Sequence, residues 1–332
     1  MKRSVAILLV LVVLQCGLIG TAKAQSNPCL ITSDIAFSGP RPIGWDCVGW
    51  GIPTGLSFCT FPTCPPPPPR GGCASCNCQS CGGPVSLATG NTDIEETDLR
   101  IPGLSNGLNL IRKWNSQWPS TAMASQAGLF GPNWRSTYEE RVAPDGNGYM
   151  LYARGDGSSW AFTVGGPGWA VVAPGNAGAT LVQGSSYWTL TLKNGEQRRF
   201  NLNSGSLIAI VDRNGNTIQL TYDGLNRLVT VTDPASRQLT FTYASNTSFL
   251  VTGVSSSVGI SLAYAYDSQN RLSQVTKPDQ TTLTFQYDSN SMITAVLDSN
   301  GKVLESHTYD GSQRGLTSSR ANGIEAVTLS YH

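Results

Sequence analysis

The sequence predicts an all-β protein in which antiparallel hairpins join into one curled, open sheet, after a stalk rich in cysteine and proline. Three observations predict this fold. In the C-terminal half a tyrosine recurs every 21 to 23 residues, and apolar and polar residues alternate before several of these tyrosines. Glycine and proline are abundant, at 36 and 19 of 332 residues. Period-two alternation is typical of a strand with one buried face, and glycine and proline mark turns.

The composition excludes several classes of protein. Hydrophobic residues make up 40% of the chain and charged residues 13%, and 22 Lys and Arg against 21 Asp and Glu give a net charge of +1. This apolar content is too high for a disordered chain. A nucleic-acid partner is not expected, because such binding needs an excess of basic residues. The length predicts about two globular domains.

Residues 1–24 have the order of a secretory signal peptide. Lys2-Arg3 precedes an apolar run from Val5 to Ile19, and Ala22-Lys23-Ala24 places small residues before a cleavage point. The run is shorter than the ~20 residues that a membrane span prefers. We therefore expect a secreted or cell-surface protein with no membrane span after signal cleavage. An uncleaved anchor and lipidation at Cys16 are the alternatives.

Residues 25–83 are predicted to form a disulfide-linked stalk. All eight cysteines of the mature chain lie there, at Cys29, Cys47, Cys59, Cys64, Cys73, Cys76, Cys78 and Cys81. An even number in an exported chain predicts disulfides, although eight cysteines leave the pairing open. The spacing from Cys73 to Cys81 could also hold zinc or an iron–sulfur cluster, but export favours disulfides, so no cofactor is expected. Pro65 to Pro69 predict a stiff polyproline II spacer.

Residues 84–180 are predicted to form a β domain of short strands separated by turns. In Gly131-Pro132-Asn133, proline fixes φ and asparagine accepts the left-handed conformation, which predicts a turn. Trp114, Trp134 and Trp160 are interpreted as core anchors or as residues that plug the fold. Stacking of these tryptophans on carbohydrate is the alternative interpretation.

Residues 181–332 carry the repeats and are predicted to form a sheet. The tyrosines that set the period are Tyr222, Tyr243, Tyr266, Tyr287, Tyr309 and Tyr331, and the aspartates that follow four of them are Asp223, Asp267, Asp288 and Asp310. Each unit ends in an alternating strand such as Leu239 to Tyr243 or Val327 to Tyr331. One hairpin cannot bury its apolar face alone, so the units must join edge to edge. Structural roles are predicted for these tyrosines and aspartates.

No constellation of catalytic residues is visible, so an enzyme is not expected and no catalytic, cofactor-binding or metal-binding residue is predicted. The aspartates recur at the repeat, whereas the carboxylates of a glycosidase come as a single pair. The stretch Asp212 to Asn216 resembles the start of a calcium loop, but an EF-hand needs glycine at its sixth position and glutamate at its twelfth. A hairpin turn at Asn214-Gly215 explains this stretch better. Of the two histidines, His307 is predicted to lie within a strand and His332 is terminal.

The motifs resemble those of the Rhs/YD-repeat family. Between Gly83 and Phe162 they come in the family's order, as Pro84-Val-Ser-Leu-Ala-Thr-Gly-Asn, Arg112-Lys-Trp-Asn-Ser and Gly128-Leu-Phe-Gly-Pro-Asn-Trp. Leu207 to Tyr331 resemble the YD repeats of Rhs proteins and teneurins. The resemblance implies a hollow β-shell, which in bacterial Rhs proteins encloses a C-terminal toxin. In the animal relatives it implies ligand binding and adhesion.

The sequence also departs from the family pattern. About six units are present, the Asp-Pro-x-Gly cleavage motif and a toxin domain are missing, and Asp233-Pro234-Ala235-Ser236 is interpreted as a turn. We therefore expect a truncated, non-catalytic Rhs-type structural protein, the N-terminal part of a toxin-enclosing shell. The alternative is a cell-surface adhesion or carbohydrate-binding module. The expected partners are a second Rhs-type polypeptide or another copy joined through the open sheet edge, or a cell-surface glycan.

Overall fold

The computed structural model describes the chain in six stretches and four short strands before them. The stretches are residues 85–86, 89–117, 128–145, 148–165, 168–320 and 323–331. The signal peptide expected over residues 1–24 lies outside the described residues, as do Cys29, Cys64, Cys73, Cys76 and Cys78. Only the backbone is described at Cys47, Cys59 and Cys81, so the disulfides and the stalk stay predictions.

Short strands occur in the cysteine-rich segment, where the sequence predicts none. The strands β1 (Ile35–Phe37), β2 (Asp46–Val48) and β3 (Ser57–Thr60) form a sheet in the order β1-β3-β2. The strands β4 (Ser80–Cys81) and β5 (Val85–Ser86) form a two-stranded ladder. The pairing of β2 with β3 places Cys47 directly opposite Cys59.

A separate three-stranded sheet follows, which we call the inner sheet. It consists of β6 (Asp93–Ile101), β7 (Leu108–Asn115) and β8 (Trp134–Ser136) in the order β6-β7-β8, and a 3-10 turn, η1 (Leu104–Asn106), lies between the first two strands. The buried face of β7 carries Leu108, Leu110, Arg112 and Trp114, each 0% exposed. One charged residue therefore occupies the apolar face of this strand.

The rest of the chain forms an antiparallel sheet of 19 strands, which we call the large sheet. Its strands are β9 (Arg141–Pro144), β10 (Met150–Ala153), β11 (Ser159–Gly165), β12 (Gly168–Ala173), β13 (Thr180–Gln183), β14 (Tyr187–Thr191), β15 (Gln197–Asn201), β16 (Leu207–Val211), β17 (Thr217–Tyr222), β18 (Leu228–Thr232), β19 (Gln238–Tyr243), β20 (Val251–Ser256), β21 (Ser261–Tyr266), β22 (Leu272–Thr276), β23 (Thr282–Tyr287), β24 (Ile293–Leu297), β25 (Val303–Tyr309), β26 (Gly315–Arg320) and β27 (Ile324–Thr328). Each strand pairs with the next one in the chain, so the sheet is a single meander that starts at Arg141 and runs through the repeats without a break.

The large sheet curls but does not close from end to end. The amide of Val142 on β9 donates to the carbonyl of Gly205 at 3.0 Å, and the amide of Leu207 donates to the carbonyl of Glu140 at 3.2 Å. The first strand thus meets the loop before β16. Among the described residues no ladder joins β9 to β27, so the predicted curled open sheet is confirmed.

The repeat strands follow the predicted alternation. In β19, Leu239 and Phe241 are buried at 0% and 3% exposure, whereas Thr242 is exposed. The final repeat differs from the prediction, because β27 ends at Thr328 and does not reach Tyr331. In the described part of the chain β27 pairs on one side only, with β26, so it lacks a second ladder to extend it.

One turn geometry recurs between the repeat strands. The amide of Asp223 donates to the carbonyl of Arg227 at 3.0 Å, and the amide of Asn226 donates to the carbonyl of Asp223 at 2.9 Å. Asn226 has a φ of 59°, and Asn270 and Gln280 in equivalent turns have φ values of 60° and 66°. This is a type I turn followed by a left-handed residue, a common three-residue hairpin loop.

The left-handed turn position offers a paired test of this geometry. We expect Gln280→Gly to raise the free energy of unfolding by about 0.5 kcal/mol, because a left-handed conformation costs a non-glycine residue about 1–2 kcal/mol and glycine loses about 1 kcal/mol in entropy. Gly215, with a φ of 86° and open space around an added Cβ, is the matched position. Gly215→Ala should lower stability by about 1 kcal/mol in urea denaturation. A loss of stability in Gln280→Gly would contradict the turn assignment.

Candidate functional site

A buried ion pair joins the inner sheet to the repeats. Asp98 on β6 is 7% exposed and Arg112 on β7 is 0% exposed. Arg112 donates through Nη2 to Asp98 Oδ1 at 2.7 Å and through Nε to the other carboxylate oxygen. Tyr264, on β21 of the large sheet, donates its hydroxyl to Asp98 Oδ2 at 2.8 Å. The carboxylate therefore accepts a bidentate pair of hydrogen bonds from Arg112 of the inner sheet and a third hydrogen bond from Tyr264 of the large sheet.

Aromatic rings enclose the Arg112 guanidinium. Its Cζ lies 4.6 Å from the ring centre of Trp134, 5.5 Å from Phe130 and 5.9 Å from Phe285. Among the described residues its Nη1 has no hydrogen-bond partner, but ring faces attract cations electrostatically. Burial alone would lower the pKa of Arg112, yet the adjacent Asp98 outweighs burial and raises this pKa above its usual value. The arginine therefore stays charged within the core.

A row of aromatic contacts extends this junction along the sheet. The inner sheet and the segments on either side of β8 contact every second strand from β19 to β25. The ring pairs and their centroid distances are Trp114–Tyr309 at 6.3 Å, Trp134–Phe285 at 5.2 Å, Phe130–Tyr264 at 4.8 Å and Tyr138–Phe241 at 6.5 Å. The edge-to-face and tilted geometries are those that aromatic pairs prefer. The inner sheet thus covers the buried face of the repeats.

The tryptophans named in the sequence are core residues. Trp114 and Trp134 are 0% exposed and Trp160 is 9% exposed. Stacking on a sugar needs an accessible ring face, which these side chains do not offer. The structure therefore agrees with the interpretation as core anchors and gives no support to carbohydrate stacking.

The six repeat tyrosines form a ladder. Each hydroxyl donates to the backbone carbonyl of the first residue of an earlier strand, 15 or 16 residues back in the chain. The bonds are Tyr222 to Leu207, Tyr243 to Leu228, Tyr266 to Val251, Tyr287 to Leu272, Tyr309 to Ile293 and Tyr331 to Gly315, at 2.6 to 2.8 Å. Burial raises the pKa of Tyr287 to about 12 and raises the pKa of the other five hydroxyls also. The hydroxyls therefore stay protonated and able to donate at neutral pH.

The aspartates that follow the tyrosines hold the turns. Asp223 Oδ1 accepts the amides of Leu225 at 2.9 Å and Arg227 at 3.0 Å, and Oδ2 accepts Arg227 Nε at 2.7 Å. Asp267 and Asp310 make the same set of bonds. Asp288 accepts two amides, but methionine stands where the other turns have arginine. Burial acts to raise the pKa of Asp223, Asp267 and Asp310, but the bonds from arginine outweigh it, so each pKa is lowered.

The arginines of these turns connect one repeat to the next. The guanidinium of Arg227 lies 4.6 Å from the ring centre of Tyr243, which is the tyrosine of the following unit. Arg271 and Tyr287 repeat this contact at 4.7 Å, and Arg314 and Tyr331 repeat it at 4.2 Å. In each Tyr-Asp-x-x-x-Arg unit, the aspartate therefore stabilises the turn of that unit. The arginine contacts the tyrosine of the next unit.

The other residues considered in the sequence lie in turns or in the core. Asp212 accepts the amides of Asn214 and Asn216 at 2.8 and 2.9 Å, as a hairpin turn requires. Asp233, 4% exposed, pairs with Arg237 at 2.6 Å within its own turn. His307 lies buried in β25 with Nε2 3.5 Å from Glu305. Across the part of the chain that the structure describes, no three His, Cys, Asp or Glu side chains are grouped to hold a metal ion.

The pairing of Asp98 with Arg112 was not predicted from the sequence. The signal was present, because Arg112 shares the buried face of β7 with Leu110 and Trp114. A charged residue on an apolar face is seldom buried without a partner. The identity of the third member, Tyr264, could not be read from the sequence, since 166 residues separate it from Asp98.

Comparison with known families agrees with this architecture. Residues 188–319, which hold the tyrosine ladder through Tyr309, match the teneurin YD-shell family. This segment is that of an Rhs/YD-repeat protein. Residues 82–162, which include the inner sheet, match a domain of unknown function, DUF6531. The two segments that the sequence motifs single out are therefore the two segments with family matches.

Curated relatives share a limited part of their length with this chain. The tRNA nuclease WapA of Bacillus subtilis (strain 168) is 31% identical over 146 residues, which are 44% of this chain and 6% of the relative. The tRNA3(Ser)-specific nuclease WapA of Bacillus spizizenii is 30% identical over 146 residues, which are again 44% of this chain and 6% of the relative. This chain thus spans about 6% of the length of these relatives.

Two solved structures show limited similarity to this chain. The crystal structure of TcdB2-TccC3-Cdc42 is 10% identical, covers 69% of this chain and 15% of that chain, and has a TM-score of 0.28. The Tc holotoxin pore of Photorhabdus luminescens is 11% identical, covers 56% of this chain and 11% of that chain, and has a TM-score of 0.29. In the described part of this chain, no helix is long and apolar enough to cross a membrane.

The buried pair predicts a large effect of one substitution. We expect Asp98→Ala to lower the free energy of unfolding by about 3–5 kcal/mol, because it leaves the Arg112 charge buried without its carboxylate. The measurement is chemical denaturation of residues 25–332.

Lys277→Ala is the matched control, because it removes a partly exposed ion pair with Glu96, 4.0 Å long. This loss should be below about 1 kcal/mol. The double variant Asp98→Leu/Arg112→Met should be more stable than Asp98→Ala. Equal losses in Asp98→Ala and Lys277→Ala would contradict the role given to the pair.

Proposed function

We propose that this chain is an exported, non-catalytic wall segment of an Rhs-type shell, whose family role is to enclose and deliver another polypeptide. The observation that carries the proposal is the use of the repeat side chains. The tyrosine hydroxyls bond to backbone carbonyls, and the aspartates and arginines bond within turns and to the next repeat. These polar groups are engaged in holding strands together, which supports a structural role.

The inner sheet supports the same role. Its aromatic residues and the Asp98–Arg112 pair cover the buried face of β19 to β25 from within the curl. Packing of the inner sheet against one side of this wall supports a defined curvature. We infer that the inner sheet starts the shell and sets the curvature that later strands continue.

Two further considerations support a link to toxin delivery. The curated relatives are named as tRNA nucleases, and this chain spans about 6% of their length. We assign the nuclease activity in those names to parts of the relatives that this chain does not match. Export rests on residues 1–24, which have the order of a signal peptide.

The edge of β27 is the proposed place where the wall continues. In the described part of the chain its outer side is unpaired, and an unpaired strand edge is a template for another strand. Further strands of the same protein, a second Rhs-type polypeptide or another copy could pair there. Residues 25–332 alone should therefore self-associate through this edge.

Light scattering after size exclusion tests this proposal. Wild-type residues 25–332 should associate, and Ala326→Lys/Thr328→Lys should be monomeric, because charges on an edge strand oppose pairing. Gln219→Lys, an exposed position on the interior strand β17, is the matched control and should associate like the wild type. Incubation of the same samples with tRNA should leave the RNA intact. A monodisperse wild-type monomer at high concentration, or cleavage that co-purifies with the chain, would contradict the proposal.

A further inference from the structure

A cavity of about 420 Å³ lies between the start of the large sheet and the first repeats. Its walls include Arg135 and Glu139 from the segment after β8, Arg141 from β9, and Tyr222 and Arg227 from the first repeat turn. The ion pairs, aromatic row and tyrosine ladder described above do not fill this space. It is therefore a concave site with charged walls that the structural role of the repeats does not explain.

Arg141 is the unusual member of this cavity. Its Nε and Nη1 atoms are buried and have no hydrogen-bond partner among the described residues. Burial lowers the pKa of the Arg141 guanidinium, and no carboxylate acts on it to offset this. A guanidinium presents donors in a fixed fork, and leaving such donors unpaired in a buried place is costly.

The neighbouring charges do not neutralise Arg141. Glu140 is already engaged, because its Oε2 accepts from Arg198 Nε at 3.1 Å and from the Tyr152 hydroxyl at 2.7 Å. Asp223 likewise pairs with Arg227 at 2.7 Å. The remaining carboxylate of the cavity wall is Glu139.

Glu139 is close enough to a second cation, Arg135, to be affected by its charge. Burial raises the pKa of this carboxyl, although Arg135 acts to lower it. Its Oε1 accepts the amide of Leu129 at 2.7 Å. Burial also lowers the pKa of Arg135, and Arg141 lowers it further, so the two guanidinium groups repel each other. Glu140 is paired with Arg198, and Arg227 is paired with Asp223. Arg135 and Arg141 therefore share one carboxylate, Glu139, and the cavity has an excess of positive charge.

Part of the cavity lining is apolar and exposed. Leu225 is 48% exposed and Phe249 is 49% exposed, and both line the cavity. Exposed side chains of this size beside a charged recess fit a ligand that has an apolar part next to an anionic group.

We propose that this cavity binds a carboxylate that carries a short apolar group, with the Arg141 guanidinium as the main donor. A carboxylate accepts charge-assisted hydrogen bonds from a guanidinium, which are stronger than neutral ones. Such a group comes either from a small organic acid or from the C-terminus of a polypeptide. The bound anion offsets the repulsion between Arg135 and Arg141, and the apolar group contacts Leu225 and Phe249.

Calorimetric titration of residues 25–332 tests the proposal. The probe is 3-phenylpropionate, and its neutral isostere 3-phenylpropanamide is the control ligand. We expect saturable binding of the acid, and binding at least about tenfold weaker for the amide and for the acid with Arg141→Gln, because a charged hydrogen-bonding partner is lost in each case. Arg213→Gln changes an exposed arginine in the turn after β16, outside the cavity, and should bind the acid like the wild type.

Two further measurements complete the test. Arg141→Gln without ligand should melt at or above the wild-type temperature, because it removes an unpaired buried charge. A dipeptide with a free C-terminal carboxylate that binds more tightly than 3-phenylpropionate assigns the site to polypeptide ends, and weaker or equal binding assigns it to small acids. Failure of the acid to bind the wild type, or equal binding to Arg141→Gln, would overturn the proposal. The association state of the chain is a separate readout and does not depend on it.

Discussion

A charge buried in a protein core must be paired, and that constraint determines how the two sheets of this protein meet. Arg112 lies with no exposed surface among aromatic rings, so it can remain charged only beside Asp98. Asp98 in turn takes a third hydrogen bond from Tyr264 of the large sheet. Because the donors come from both sheets, the pair is satisfied only when the inner sheet is docked in one position. Ion pairs of this kind are weak sources of stability but strong sources of specificity in some proteins, and here the pair fixes the position of one domain against the other.

The repeats extend the wall from the strands that the inner sheet contacts. Each tyrosine hydroxyl bonds to the first residue of an earlier strand, and each Tyr-Asp-x-x-x-Arg unit adds a contact to the following tyrosine. These contacts are local in sequence, within about one repeat, so the wall can be extended by adding units. The inner sheet supplies the long-range contacts that a row of hairpins lacks. A shell needs a fixed first segment, which the inner sheet provides, and a wall that can be extended, which the repeats provide. The proposed function rests on these two features together.

The sequence predicted the features that depend on local patterns. Strand positions such as β19 and β23 follow from alternation, and the turn at Asn214-Gly215 follows from turn chemistry. The hydrogen-bond acceptor of each tyrosine hydroxyl could not be predicted, because it depends on how the twisted sheet places the ring over the neighbouring strand. The docking of the inner sheet was equally hidden, since Asp98 and Tyr264 are far apart in the chain. The charge excess at Arg141 is invisible for the same reason, because it arises from which carboxylates other residues have already engaged.

Hydrogen–deuterium exchange on Arg112→Met tests the central claim most directly. Arg112 lies in β7, and if it fixes the inner sheet against the repeats, its loss should also weaken strands to which it does not belong. The account predicts faster amide exchange in β6 and β7 and also in β21 (Ser261–Tyr266) and β23 (Thr282–Tyr287), with β17 (Thr217–Tyr222) unchanged. Faster exchange confined to β6 and β7 would contradict the account, because the pair would then stabilise only the hairpin that carries it.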